Sequence, residues 1–212
     1  MENLKIQKFI VSPYSANVYI VWNKKTKEAF IVDCPAPIEK ISNFIKQHVL
    51  KIKFVLITHG HFDHIDGLNN FMEEFKVPFY ISEKDSEFLI NPMYNGSLMV
   101  GDSVVILKKP EFLVEGQKIP FSNLEIEVIE TGGHTQGGLS FKLGNWLFSG
   151  DTLFYHTVGR TDLPFADTEQ LQNSIKNKLF ILDKKIVVYP GHGLETSIGE
   201  EIENNPYVGK SE

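Results

Sequence analysis

The sequence predicts an α+β fold in which two strand-rich halves stack their sheets with helices on the outside. Three observations predict it. Short apolar or alternating runs gather in each half, helical spacing follows each gathering, and no Pro-, Gly- or Ser-rich linker divides the 212 residues. The chain is therefore read as one domain over residues 1–212, long enough to bury a core without disulfide staples.

Taken in order, LKIQKFIV, NVYIVW and EAFIVD read as strands of a meander, divided by the turn-like SPYS and NKKTK. Ile38, Ile41, Ile45 and Val49 then fall at helical spacing behind Pro35 and Pro37, which predicts an amphipathic helix over 38–50. KFVLIT is a strongly apolar, buried strand. After the polar stretch THGHFDHIDG, the spacing of Leu68, Phe71, Met72 and Phe75 marks one apolar helix face that ends before Pro78. PFYIS reads as a strand and EKDSEFLI as a short helix. Residues 91–123 are less patterned, with NPMYNGS loop-like and strands in SVVIL and EFLVE. LEIEVIE, LSFKL and WLFSG are three further strands, the last two joined by a hairpin turn at Gly144-Asn145. A helix from about Thr168 carries Leu171, Ile175 and Leu179 on one face, and the strand KIVVY and loop PGHG follow it.

Composition narrows the function. A formal charge of −6 without a long lysine tract leaves no footprint for a polyanion, so a small-molecule substrate is expected and nucleic acid is not. No apolar run nears the roughly 18 residues that span a bilayer, and MENLKIQKFIVSPYS lacks the head and middle of a signal peptide. With Cys34 the single cysteine, a cytoplasmic place without membrane association is the expectation. Arg160 is the only arginine among 21 basic residues, which makes its position informative.

The chemistry collects at strand ends. His59, His61 and His64 follow KFVLIT, His134 lies in TGGHTQGG, Asp151 in FSGDT and His192 in PGHG, each beside glycine at a turn. His59 and His61 are two apart, so extended backbone points both the same way, where they can share an ion. Asp63 and His64 come where the chain turns into a helix and can diverge toward a second ion. Imidazole and carboxylate are the ligands that borderline divalent metals accept. Asp33 is a candidate partner for the other N–H of a ligating histidine. His48, among lysine and glutamine, reads as solvated, and His156 as a residue that is not a ligand. Cys34 reads as a small buried hydrophobe, and Tyr155 as a packed aromatic.

In this order THGHFDH, GGHT, SGDT and PGHG resemble the four metal motifs of the metallo-β-lactamase superfamily, over nearly the whole chain. The resemblance implies a four-layer αββα sandwich with metals at one sheet edge. It implies that His59, His61 and His134 bind a first metal, that Asp63, His64 and His192 bind a second, and that Asp151 bridges them. Two divalent ions are expected, zinc first, with iron or manganese as the alternatives. Such ions about 3.5–4 Å apart hold a shared hydroxide as nucleophile, and Asp63 would orient it or pass a proton to the leaving group.

Within the superfamily, SGDTLFYHTVGRTDLP and VVYPGHGLETSIGEEIENNPYV resemble the glyoxalase II-like hydrolases, which implies cleavage of a thioester such as S-lactoylglutathione. Arg160 would meet a substrate carboxylate, or pair with Asp162, or both. Two departures stand out. The glutathione-binding helical tail of that family is not expected in residues 1–212, which end about 20 residues after His192. Gly133 stands where the family often has proline, which is read as a change in loop stiffness. The alternative enzyme is a persulfide dioxygenase of the same fold, with one iron on His59, His134 and Asp151 and a GRTD-like stretch. A β-lactamase, an RNA-processing nuclease and a non-catalytic binding module fit less well.

Overall fold

Strand β1 (Leu4–Val11) pairs antiparallel with β2 (Ala16–Asn23), and β2 with β3 (Glu28–Val32), as the alternating runs predict. The structure is a computed structural model that describes residues 1–11 and 13–210. Ser12 of the expected SPYS turn lies outside the described residues. The chain separates into two compact units, residues 1–81 with 86–112 and residues 82–85 with 113 onward.

In the first unit the meander runs on through two parallel crossovers. Helix α1 (Glu39–Gln47) leads from β3 to β4 (Lys51–Leu56), and the one-turn α2 (Phe62–Ile65) with α3 (Leu68–Phe75) leads from β4 to β5 (Phe79–Ser82). With the short β6 (Glu111–Leu113), the sheet order is β1-β2-β3-β4-β5-β6. Both long helices bury the face their spacing marks, Ile41 and Ile45 on α1, Leu68, Phe71 and Met72 on α3, against Ile31, Val55 and Ile57. Each such fully buried side chain contributes about 1.5–3 kcal/mol.

Two expectations fail here. The first helix stops at Gln47 rather than residue 50, because Val49 takes a left-handed φ of 54° and stands 71% exposed. The chain has already turned toward β4, so Val49 belongs to the turn and not to the apolar stripe. SVVIL forms no strand. Its backbone bonds to a side chain instead, with Asn69 Nδ2 donating to Val105 O at 2.8 Å and Leu107 N–H to Asn69 Oδ1 at 2.9 Å. EKDSEFLI winds as a 3-10 helix over Glu83–Leu89. A second 3-10 turn, Ser97–Val100, sits between Gly96 and Gly101, whose φ values of 83° and 79° are left-handed. Asn95 anchors its base by donating from Nδ2 to the carbonyls of Phe88 and Val104, both at 2.9 Å.

The second unit repeats the strands-then-helix order. β7 (Lys118–Phe121), β8 (Leu124–Glu130), β9 (Leu139–Leu143) and β10 (Trp146–Gly150) form an antiparallel run. β13 (Val187–Pro190) adds parallel to β10, and β14 (Thr196–Ser197) closes the order β14-β13-β10-β9-β8-β7. Gly144 takes φ 57° at the first position of the two-residue hairpin turn between β9 and β10, as expected. β7 lies in the stretch that the sequence leaves unpatterned. Between β10 and β13 come the small hairpin β11 (Leu153–Phe154) and β12 (Thr157–Val158), then α4 (Thr168–Ser174), which continues as a π turn over Ile175–Leu179. Leu171, Ile175 and Leu179 bury as their spacing predicts, with Ile198 of the unforeseen α5 (Ile198–Asn204). Fully buried Glu201 holds α5 to that hairpin, accepting from His156 N–H at 3.0 Å and Asn205 Nδ2 at 2.7 Å. No helix among the described residues is long and apolar enough to cross a membrane.

Two predictions follow from the first unit. Phe71 is fully buried with its ring centroid 4.5 Å from that of Phe75, so Phe71→Ala is expected to cost about 3–5 kcal/mol in urea unfolding. Asp66 accepts the Ala36 N–H, yet burial, then the charges of Asp63 and Asp102, push its carboxyl pKa up to about 6. The folded state therefore holds this proton more tightly than the unfolded chain, so the group's contribution is present at low pH and is lost as pH rises through about 6. In metal-free protein, Asp66→Asn should gain about 1–2 kcal/mol on wild type between pH 4 and pH 7, after discounting for partial exposure. A constant difference across that range in urea titrations would contradict it.

Candidate metal centre

A buried histidine can offer a lone pair on one ring nitrogen only if the other nitrogen lodges its proton. The first unit builds that condition around Asp33. The residue is buried at the end of β3 with a left-handed φ of 60°, which turns its carboxylate toward the chain leaving β4. Its Oδ1 accepts Thr58 N–H at 2.8 Å, and its Oδ2 accepts Thr58 Oγ1–H at 2.9 Å and His64 Nδ1–H at 2.9 Å. Since the single hydroxyl proton of Thr58 goes to Asp33, Thr58 Oγ1 is left to accept from His59 Nδ1, 3.0 Å away. One carboxylate thus sets the tautomers of two histidines and leaves the lone pairs of His59 and His64 on Nε2.

The backbone places the rest. After β4 the chain stays extended through His61, whose ψ of 146° precedes the single turn of α2. His59 and His61 rings meet edge-on with centroids 4.9 Å apart, and His59 and His64 rings lie 4.3 Å apart. Asp63, on α2, has Oδ2 4.0 Å from His64 Nε2. The ring of Phe88 stands 5.7 Å from His61 and shields that side. Gly67 is required by close approach, because a Cβ there would lie 2.5 Å from Pro35 O. All four expected ligands of this unit therefore gather in one loop, and Asp33 takes the supporting place expected of it.

The second unit gathers the other three. His134 Nδ1 donates to Arg160 O at 2.8 Å, which leaves its lone pair on Nε2. Asp151 Oδ2 lies 3.6 Å from His134 Nε2 and 3.6 Å from His192 Nε2. Those separations are too long for hydrogen bonds. They suit ligands of a shared ion, since two atoms each about 2.1 Å from a tetrahedral metal sit about 3.4 Å apart. An oxygen equidistant from two imidazoles also has the placement of a bridging carboxylate. Gly159 permits this packing, because a Cβ there would fall 1.9 Å from Asp151 O. The donor set, imidazole nitrogens and carboxylates with the outer protons of His59, His64 and His134 lodged on acceptors, fits divalent ions in both units.

Other expected residues resolve as follows. The guanidinium of Arg160 forks onto Asp162, with Nε and a terminal nitrogen each 2.9 Å from a carboxylate oxygen, and holds that carboxyl below its usual range. His156 turns away to Glu200, 2.8 Å from Oε1, and Tyr155 stacks on it, half exposed. His48 stacks on Phe44 at 4.0 Å rather than standing free in solvent, because the helix end folds its ring back onto the aromatic. Burial, then the Asp66 and Asp33 charges, push the Cys34 thiol pKa up, which suits a packed hydrophobe and no nucleophile. Gly133 is more than a softer proline: its φ of 135° is closed to proline, and a Cβ would lie 2.3 Å from Leu171 N. The sequence reading missed Thr58 and the carbonyl of Arg160. A threonine beside a histidine motif is an ordinary residue, and a main-chain carbonyl leaves no trace in the sequence.

Comparison with known proteins bears on these geometries. Residues 11–192 match the family described as the Metallo-beta-lactamase superfamily. A probable metallo-hydrolase, YqgX, of Bacillus subtilis is 33% identical over 97% of this chain and 98% of its own. Hydroxyacylglutathione hydrolase GloC of Haemophilus influenzae is 30% identical over 97% of this chain and 98% of its own. Among solved structures, the BLEG-1 B3 metallo-beta-lactamase has a TM-score of 0.92 at 32% identity, covering 96% of this chain and 99% of that one. TTHA1623 in a di-iron-bound form scores 0.85 at 28% identity, covering 95% and 99%. ETHE1 from Myxococcus xanthus scores 0.77 at 26% identity, covering 96% and 84%. The expected α+β, metallo-β-lactamase fold is thereby shown, and the chain belongs to the metallo-β-lactamase superfamily of metallohydrolases.

Proposed function

We propose that this chain is a dinuclear metal-dependent hydrolase that cleaves a thioester such as S-lactoylglutathione. The observation that carries the reading is the proton assignment: Nδ1 of His59, His64 and His134 each donates to an acceptor, so each Nε2 keeps its lone pair. The thioester is suggested by the similarity to GloC. In this reading His59, His61 and His134 hold one ion, Asp63, His64 and His192 the other, and Asp151 both. Residues 1–212 act as one metallo-β-lactamase-like domain, since the family match runs through both units. Divalent cations held there would bring the pKa of a bound water toward about 7 and polarise the acyl carbonyl.

The chain's own groups do the remainder. Asp33, Thr58 and Arg160 O keep the imidazoles from rotating, which preserves the ligand geometry through turnover. In this reading Asp63, partly exposed on α2, takes a proton from the attacking water and returns it to the leaving thiol. Arg160 is exposed, and its fork, now on Asp162, is the group to receive a carboxylate of a small-molecule substrate. Zinc is the proposed metal, with iron next, on the similarity to a di-iron protein. A cytoplasmic enzyme acting away from nucleic acid and membranes fits the single cysteine and the acidic charge.

The second reading is a one-iron persulfide dioxygenase on His59, His134 and Asp151, favoured by the Gly159-Arg160-Thr161-Asp162 stretch and the similarity to ETHE1. One experiment separates the two. Metal content is measured on protein from metal-sufficient cells, with S-lactoylglutathione turnover and oxygen uptake on glutathione persulfide assayed together. The hydrolase reading expects two ions per chain, turnover that chelation abolishes and zinc restores, and no oxygen uptake. About one iron per chain with oxygen uptake would overturn it. His61→Ala is expected to cut turnover more than about 100-fold with little change in unfolding midpoint. Unchanged turnover would remove His61 from the ligand set.

A further inference from the structure

Four of the eight residues in the loop Thr131–Gly138 are glycine, so little side-chain packing holds the backbone that carries His134. The neck is closed by Thr131 N–H to Gly138 O at 2.7 Å, and Gly133 N–H donates to Thr135 O at 2.8 Å. Arg160 O fixes the imidazole ring, but not the chain beneath it. Before the histidine, Ser174 Oγ–H donates to Gly132 O at 2.7 Å and Asp167 N–H to Gly133 O at 2.7 Å; after it, the chain is held by Asp85. Asp85 Oδ2 accepts Thr135 Oγ1–H at 2.7 Å, and Asp85 Oδ1 accepts Gly137 N–H at 2.7 Å. Asp85 and Thr135 are both fully buried, and a Cβ on Gly137 would lie 2.6 Å from Asp85 Oδ1.

We propose that Asp85 is a positioning residue for His134, holding the loop on the C-terminal side of the histidine so that Nε2 stays where a metal needs it. The proposal rests on the metal reading above. A carboxylate suits the task because it accepts two donors at once without needing one in return, and glycine at 137 lets the backbone reach it. Asp85 reaches the loop from the 3-10 helix after β5, and residues 82–85 belong to the same compact unit as His134. Without Asp85, a buried hydroxyl and a buried N–H lose their acceptor, and a glycine-rich loop is free to move to regain one.

The test uses Co(II) as the probe, read by visible absorption and by competition with a chelator, on the full chain and its variants. Asp85→Ala is expected to weaken the ion that His134 binds by about 10–100-fold and to alter its ligand-field bands. Thr135→Val removes one of the two hydrogen bonds and is expected to weaken it less. Thr135→Ser keeps the hydroxyl and should restore wild-type binding and spectrum, a rescue that a purely packing role would not give. If Asp85→Ala does not fold, the threonine pair carries the test. Wild-type uptake of Co(II) with unchanged affinity and bands in Asp85→Ala and Thr135→Val would overturn the proposal alone. So would a Thr135→Ser variant as impaired as Thr135→Val. Wild-type protein that takes up no Co(II) would overturn the metal reading and the proposal with it.

Discussion

A neutral imidazole carries one proton on two nitrogens, and in a buried place that proton must have an acceptor. The arrangement of both units follows from this constraint. Asp33 serves two histidines at once, one directly and one through the hydroxyl of Thr58. Because Asp33 must present its carboxylate beside the end of β4, it takes a left-handed backbone that strands do not use. The N–H of Thr58, bonded to the same carboxylate, then fixes where the extended His59–His61 stretch begins. The position of the ligands is thus an outcome of hydrogen-bond accounting as much as of strand geometry.

The second unit meets the same constraint by other means. Its histidine proton goes to a main-chain carbonyl, so the identity of the residue at 160 matters less than the path of its backbone. That path lies against Asp151, and only glycine at 159 lets it pass so close. Side-chain specification in one unit and backbone specification in the other produce the same result, an Nε2 with its lone pair aimed outward. Beneath each loop a buried aspartate, Asp33 in one unit and Asp85 in the other, accepts hydrogen bonds from the chain above it.

Most strands and the two long amphipathic helices were legible because burial writes a period into the chain. Ile41 and Ile45, or Leu171, Ile175 and Leu179, face inward as their spacing requires. The candidate ligands stand out as a set because imidazole and carboxylate beside glycine recur at successive strand ends. What stayed hidden lacks either signal. SVVIL looks like a strand by composition, yet Asn69 takes its hydrogen bonds from a position no local pattern marks. Val49 fits the helical period but comes after the chain has turned. β7 alternates over only four residues around Pro120, too short to stand out. Gly133 looked like a lost proline because sequence does not print φ, whereas the fold asks there for a conformation proline lacks.

The 3-10 turn between Gly96 and Gly101 separates what it shows to solvent from what holds it in place. Leu98, Met99 and Val100 stand 46–59% exposed, and the turn's footing rests on Asn95 and the two left-handed glycines. The residues that the turn exposes are therefore different from those that fasten it. Backbone N–H of Phe62, between His61 and Asp63, bonds to Asn95 O at 3.0 Å, so the fastening abuts the ligand loop. A substitution at Leu98, Met99 or Val100 therefore alters the surface the turn presents while the bonds that fasten it beside His61 and Asp63 stay as they are.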